Sequence, residues 1–149
     1  MPNVDIISLE DANDVKISRL MGISEPYFSL ILSGKKRAEG KKMSPKWNVK
    51  IGECIYVYDD TLKNNDNPDW FLALVTNVSK YPGRQVKLAS DGSYVDAGAL
   101  DDMLLFEGIK NMLPGTLSLE DARDIYSQWS SPEELFHYGM QAIELKVIN

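Results

Sequence analysis

The sequence predicts one α+β domain in which helices pack on a curled or closed β-sheet. Its periodic segments follow the order strand, helix, strands, helices, strand, which is typical of this fold class. The chain has 149 residues, enough for one domain with its own core. Its 44% hydrophobic and 26% charged residues are ordinary for a globular protein. We expect residues 1–15 to be a polar lead-in and residues 16–149 to form the domain.

The first predicted elements are a short strand and a helix. Alternation predicts the strand, because four residues share one of its faces: Ile17, Arg19, Met21 and Ile23. Ser24 and Pro26 suit the start of a helix and Gly34 suits its end. These signals predict a helix over residues 26–33.

The middle of the chain predicts two strands and a hairpin. Residues 54–60, CIYVYDD, are rich in β-forming side chains. Residues 70–81 are apolar on both faces, which indicates a buried strand. The polar stretch 82–98 predicts a loop or hairpin insertion with its tip near Asp91-Gly92.

The last third predicts helices and a closing strand. Helical periodicity begins at Ala99 and stops at residues 113–115, Leu-Pro-Gly. Ser118 followed by Asp121 resembles a capping box and starts a helix that reaches about Trp129. Alternation then predicts a final strand around Ile143, Leu145 and Val147.

The charge is distributed unevenly along the chain. The formal net charge is −6, yet residues 35–50 hold seven basic residues and one acidic residue, a local charge of +6. The other 133 residues carry nine basic and 21 acidic groups, or −12. A concentrated basic segment on an acidic body can still bind phosphate groups.

Composition excludes several classes of site. With one cysteine, Cys54, and one histidine, His137, the chain can form no internal disulfide and no Cys/His zinc cluster. It has no apolar run of the roughly 20 residues that span a bilayer, and no signal-peptide pattern. We therefore expect an intracellular protein without cofactor, metal or membrane partner, in the cytoplasm, with the nucleus left open.

One motif carries a family resemblance. A predicted helix runs into Gly34, Lys36, Glu39 and Lys41, which follow the spacing G-x-K-x-x-E-x-R. This segment resembles the signature of the ASCH domain, the activating-signal-cointegrator homology domain of the PUA-like superfamily. Further matches follow in the family's order: WNVKIGECIYVY, MLLFEGIKNMLPGTLSLEDARDIY and YGMQAIELKVI. Two departures are Lys41, which lacks the planar fork of arginine, and the long stretch 82–98.

The resemblance implies a small PUA-like β-barrel of five or six strands with two to four flanking helices. Its signature residues would line a cleft between the first helix and the barrel. Family members are mainly RNA-binding or nucleic-acid-binding modules, so the implied partner is single-stranded nucleic acid or a modified nucleoside.

The candidate binding residues lie mainly in the basic segment. Lys36 could contact a phosphate or carbonyl oxygen and Glu39 could accept hydrogen bonds from a base amino group. The alternative for this pair is a surface ion pair of little energetic value. Further basic and aromatic candidates would extend the site: Lys35, Arg37, Lys41, Lys42, Lys46, Trp47, Tyr27 and Tyr81. For Trp47, packing in a core is the favoured alternative to stacking on a base.

Two other functions stay open. Some relatives hydrolyse 4-N-acetylcytidine with the motif lysine, a threonine nucleophile and a later glutamate, and a related member cleaves RNA. The threonine position is Glu39 here and the counterpart of the glutamate would be Glu107, so a catalytic set would be Lys36, Glu39 and Glu107. The second of these open functions is that of a protein-interaction domain that works through its acidic surface.

Overall fold

A five-stranded sheet forms the centre of the molecule in the computed structural model, which describes residues 16–148. The predicted lead-in, residues 1–15, lies outside the described residues. The five strands of the sheet are β1 (Ile17–Ile23), β2 (Ala38–Lys42), β3 (Cys54–Asp59), β4 (Trp70–Tyr81) and β7 (Met140–Val147). Their order in the sheet is β1-β3-β4-β7-β2, in which β1 pairs with β3 in parallel and the other neighbours are antiparallel.

Five helices accompany the sheet in the described residues. They are α1 (Tyr27–Leu32), α2 (Ala99–Glu107), α3 (Ile109–Met112), α4 (Leu119–Tyr126) and α5 (Pro132–Tyr138). The helix start at Ser118 is confirmed, because its side chain accepts a hydrogen bond from the Asp121 amide. The sequence did not predict α5, which begins at a capping box of Ser131 and Glu134.

The sheet curls around one apolar cluster, and a second apolar cluster lies between the sheet and four of the helices. The inner cluster joins α1 to the strands and includes Met21, Phe28, Ile55, Phe71 and Ile143. A second cluster buries α2, α3, α4 and α5 against β2 and β7. A register shift between Val75 and Asn77 interrupts the pairing of β4 with β7, and such irregularities bend a long strand. The result is a half-barrel with flanking helices, as the sequence predicts.

The stretch 82–98 contains a two-stranded hairpin, β5 (Lys87–Leu88) with β6 (Tyr94–Asp96). Gly92 adopts φ +87° at its turn, a conformation that favours glycine. Arg84 attaches this segment to α2, since its guanidinium contacts Asp96 at 2.7 Å and Asp102 at 2.8 Å.

No helix within residues 16–148 combines the length and the apolar character needed to span a bilayer.

Candidate functional site

A cavity of about 500 Å³ opens between the two edge strands of the sheet and the C-terminal helices. We call it the edge cavity. The end of β1, strand β2, the 3-10 turn Pro45–Trp47 and the segment from α4 to α5 all contribute to its walls. Its aromatic and charged lining includes Tyr27, Glu39, Lys41, Lys42, Lys46, Trp47, Tyr126, Trp129, Glu134 and Tyr138. This volume lies within the range of small-ligand pockets.

Arg19 of β1 holds the 3-10 turn in place. Its Nη1 donates to the carbonyl of Lys46 at 3.0 Å and its Nη2 to that of Asn48 at 3.2 Å. Its Nε bonds Glu53 at 3.0 Å. From β7, the neighbour of the opposite edge strand, Gln141 Nε2 donates to the Trp47 carbonyl at 2.7 Å. The backbone that carries Trp47 is therefore anchored to both sides of the curled sheet.

Lys36 lies inside the protein behind the cavity wall. The residue is 1% exposed, and its Nζ donates to the carbonyl of Met112 and stands 3.5 Å from Glu39 Oε1. Nζ is also 5.8 Å from the ring centroid of Tyr27. Burial lowers the pKa of Lys36, and the nearby Glu39 carboxylate opposes that shift. The pair is thus not a surface ion pair, and Lys36 is absent from the cavity lining.

Lys36 and Glu39 meet without a bend in the strand at Gly40. The β2–β7 register runs unbroken from Ala38 to Lys42. Lys36 instead precedes β2, where its amide donates to the carbonyl of Leu30 at 3.0 Å. The turn after α1 therefore directs its side chain under the strand towards Glu39.

The predicted basic residues divide into two groups. Lys41, Lys42 and Lys46 line the edge cavity, whereas the exposed Lys35 and Arg37 do not. Lys41 Nζ lies 5.1 Å from the Trp47 ring centroid, and Lys42 forms an ion pair with Glu134 of α5. The fold therefore brings three of the predicted binding lysines to one cavity and leaves Lys35 and Arg37 outside it.

Trp47 has a place in both environments that the sequence left open for it, the core and the candidate binding site. It packs partly against the inner core cluster, and it also lines the edge cavity. Three further aromatic side chains of the lining were missed: Tyr126, Trp129 and Tyr138. Their segment lies about 80 residues beyond the basic segment. The available signal was the block ending in DIY, since Tyr126 closes α4.

Tyr81 and Glu107 lie outside the edge cavity. The Tyr81 hydroxyl donates a hydrogen bond to the Glu107 carboxylate, and its ring is 6.0 Å from that of Phe106. Burial, reinforced by Glu107, raises the pKa of Tyr81. Glu107 is thus held by a partner of its own, while Lys36 and Glu39 meet elsewhere. Of the three candidate catalytic residues, Lys36 and Glu39 are in contact, and Glu107 is paired with Tyr81 outside the edge cavity.

In the part of the chain that the structure describes, no three His, Cys, Asp or Glu side chains are grouped to hold a metal ion.

Comparison with solved structures identifies the fold. Hypothetical protein PH0355 is 27% identical with a TM-score of 0.65, over 87% of this chain and 98% of that chain. Protein PF0455 from Pyrococcus furiosus is 23% identical with a TM-score of 0.58, over 87% and 96%. A mutant of ZmASCH from Zymomonas mobilis is 13% identical with a TM-score of 0.50, over 87% and 73%. The chain adopts an ASCH-type fold. The predicted resemblance is therefore confirmed.

The ASCH-type fold is supported by structure rather than by sequence matching. No protein-family model and no curated protein matches the chain. At 13–27% identity, the likeness to these three structures establishes architecture alone.

Proposed function

We propose that this ASCH-type domain binds single-stranded RNA, or a modified nucleoside within it, in the edge cavity. The observation that carries the proposal is the convergence of three lysines, several aromatic rings and the carboxylates of Glu39, Asp60 and Glu134 on a single cavity. Single-stranded nucleic acids are bound by aromatic rings that stack on bases and by cations that track the backbone.

The lining divides into three kinds of contact. Trp47 and Trp129 offer rings on which a base can stack. Lys41, whose Nζ lies 5.1 Å from the Trp47 ring centroid, and Lys46 line the same cavity and can neutralise phosphates. Glu39 can accept hydrogen bonds from an exocyclic amino group, and its Oε1 is paired with the buried Lys36 Nζ at 3.5 Å.

The charge distribution supports a small footprint. The basic segment 35–50 attracts phosphate, while the charge of −12 on the rest of the chain, to which Asp60 and Glu134 of the cavity lining contribute, repels it. A ligand of a few nucleotides satisfies both conditions better than a long duplex.

Binding is the function supported best, because two of the three candidate catalytic residues do not line the edge cavity. Glu107 accepts a hydrogen bond from Tyr81 outside the cavity, and Lys36 Nζ already donates to the carbonyl of Met112. Neither group lines the cavity in which a substrate would lie.

Charge reversal at the cavity tests the proposal. We expect Lys41→Glu/Lys46→Glu to weaken binding of a fluorescein-labelled RNA octamer of mixed sequence at least about tenfold at low salt, and to reduce the slope of log K against log salt by about 1.4. Fluorescence anisotropy measures both quantities. The control is Lys87→Glu on β5, an exposed lysine away from the cavity.

Equal losses of octamer affinity in the double variant and in the Lys87→Glu control would indicate a general charge effect and contradict binding at the edge cavity. Absence of any octamer binding by the wild type at low salt would contradict the function itself.

A further inference from the structure

Tyr126 carries an unpartnered hydroxyl and belongs to the lining of the edge cavity. The residue is 5% exposed and lines the cavity at the end of α4. Its Oη is buried and has no hydrogen-bond partner among residues 16–148. Buried hydroxyl groups without a partner are rare in folded proteins, so this group needs an explanation.

The packing around this hydroxyl places it beside strand β2. A Cβ atom on Gly40 would stand 2.5 Å from Tyr126 Oη and 2.9 Å from Met103 Cε. Glycine at position 40 therefore makes the room into which the Tyr126 hydroxyl fits. Glu39, the adjacent residue on β2, lines the same cavity.

The electrostatic surroundings keep this hydroxyl protonated. Burial raises the pKa of Tyr126 well above its usual value, and the negative charge of Glu39 and the neighbouring Tyr27 act in the same direction. Tyr126 thus keeps its proton at neutral pH. The lining of the edge cavity therefore contains both a hydroxyl donor, Tyr126, and a carboxylate acceptor, Glu39.

We propose that Tyr126 is a specificity-determining hydrogen-bond donor that acts together with Glu39. Resting on the proposed function, this inference adds the chemistry of the ligand edge that the cavity accepts. The hydroxyl donates to an acceptor atom of the base while Glu39 accepts from a neighbouring N–H group. The ligand class is an amino-bearing base, in which an amino group adjoins a ring nitrogen, as in adenine and cytosine. Uracil fits less well, because its one ring N–H lies between two carbonyl oxygens that the Glu39 carboxylate repels.

The test removes the hydroxyl and its acceptor separately. Tyr126→Phe is titrated by anisotropy against RNA octamers of adenosine and of cytidine. The matched probes contain 1-deazaadenosine or 3-deazacytidine, which lack the ring nitrogen beside the amino group. We expect the variant to raise Kd for the parent octamers about tenfold and to leave Kd for the deaza octamers unchanged. The deaza octamers should bind the wild type as weakly as the parent octamers bind the variant.

Thermal unfolding separates recognition from structure. Because the hydroxyl has no partner within the described residues, we expect Tyr126→Phe to leave Tm unchanged or to raise it. A lower Tm for Tyr126→Phe, together with Kd values for the parent octamers equal to those of the wild type, would assign the hydroxyl a structural role and overturn the inference.

The remaining outcomes separate this inference from the proposed function. If wild type and Tyr126→Phe bind every octamer equally, with binding still lost on Lys41→Glu/Lys46→Glu, the inference fails and the proposed function stands. If the wild type binds no octamer, the proposed function fails and the inference fails with it. Preference of the wild type for uridine octamers would also overturn the ligand class.

Discussion

Replacing Lys36 with alanine should lower the free energy of unfolding by about 3–5 kcal/mol. The change removes a fully buried side chain whose Nζ reaches both the Met112 carbonyl and the Glu39 carboxylate. Alanine leaves a cavity where the lysine stem packed, and it leaves both acceptors without their donor. Urea denaturation at pH 7 measures the loss.

Lys35 provides the matched control for this substitution. It is the adjacent lysine, and it is exposed. We expect Lys35→Ala to change the free energy of unfolding by no more than about 0.5 kcal/mol. A loss for Lys36→Ala that is as small as this control would show that the buried contacts of Lys36 contribute nothing to stability.

The pH dependence of the same site has a definite sign. Burial is the larger influence on the pKa of Lys36 and lowers it below the ordinary value of 10.5, so the unfolded chain binds this proton more tightly than the folded chain. Stability therefore rises with pH between the lowered pKa and 10.5. We expect the free energy of unfolding of the wild type, relative to Lys36→Met, to increase as pH approaches 10. A decrease would mean that the attraction of Glu39 outweighs burial.

Replacing both tryptophans of the edge cavity with leucine should weaken binding of the mixed RNA octamer about thirtyfold or more. Base stacking on one aromatic ring contributes about 1–3 kcal/mol, and Trp47 and Trp129 both line the cavity. Leucine retains apolar bulk beside the core while it removes the flat ring. Fluorescence anisotropy of the labelled octamer gives Kd for each variant.

The third tryptophan of the chain is the control. Trp70 stacks on Tyr56 with ring centroids 5.2 Å apart and is absent from the cavity lining. Trp70→Leu should leave Kd within about twofold of the wild type. An equal loss for Trp70→Leu would show that binding responds to general destabilisation rather than to stacking at the cavity.

The fold was predictable from the sequence because its signals are local. Alternation located β1 and β7, and Ser118 started α4 where the structure has it. The helix α5 was missed, although its capping box of Ser131 and Glu134 is a recognisable start signal. Only seven residues follow that signal, too few for helical periodicity to become evident.

The candidate site was predictable only in part, because tertiary folding brings its two halves together. The motif located Glu39 and Lys41, which are close in sequence. Tyr126 and Trp129 reach the same cavity through the packing of α4 on β2, and no local pattern encodes that contact. Burial of Lys36 was also unpredictable, since a lysine in a basic segment is normally solvated.

Ultraviolet cross-linking of the mixed RNA octamer, followed by mass spectrometry of the peptides, tests the central proposal most directly. The experiment locates the RNA on the wild-type protein without any substitution. Binding in the edge cavity predicts adducts on two peptides that are distant in sequence, one containing Trp47 and one containing Tyr126 and Trp129. Adducts confined to the outer aromatic pair, Tyr81 and Phe106, would contradict the proposal.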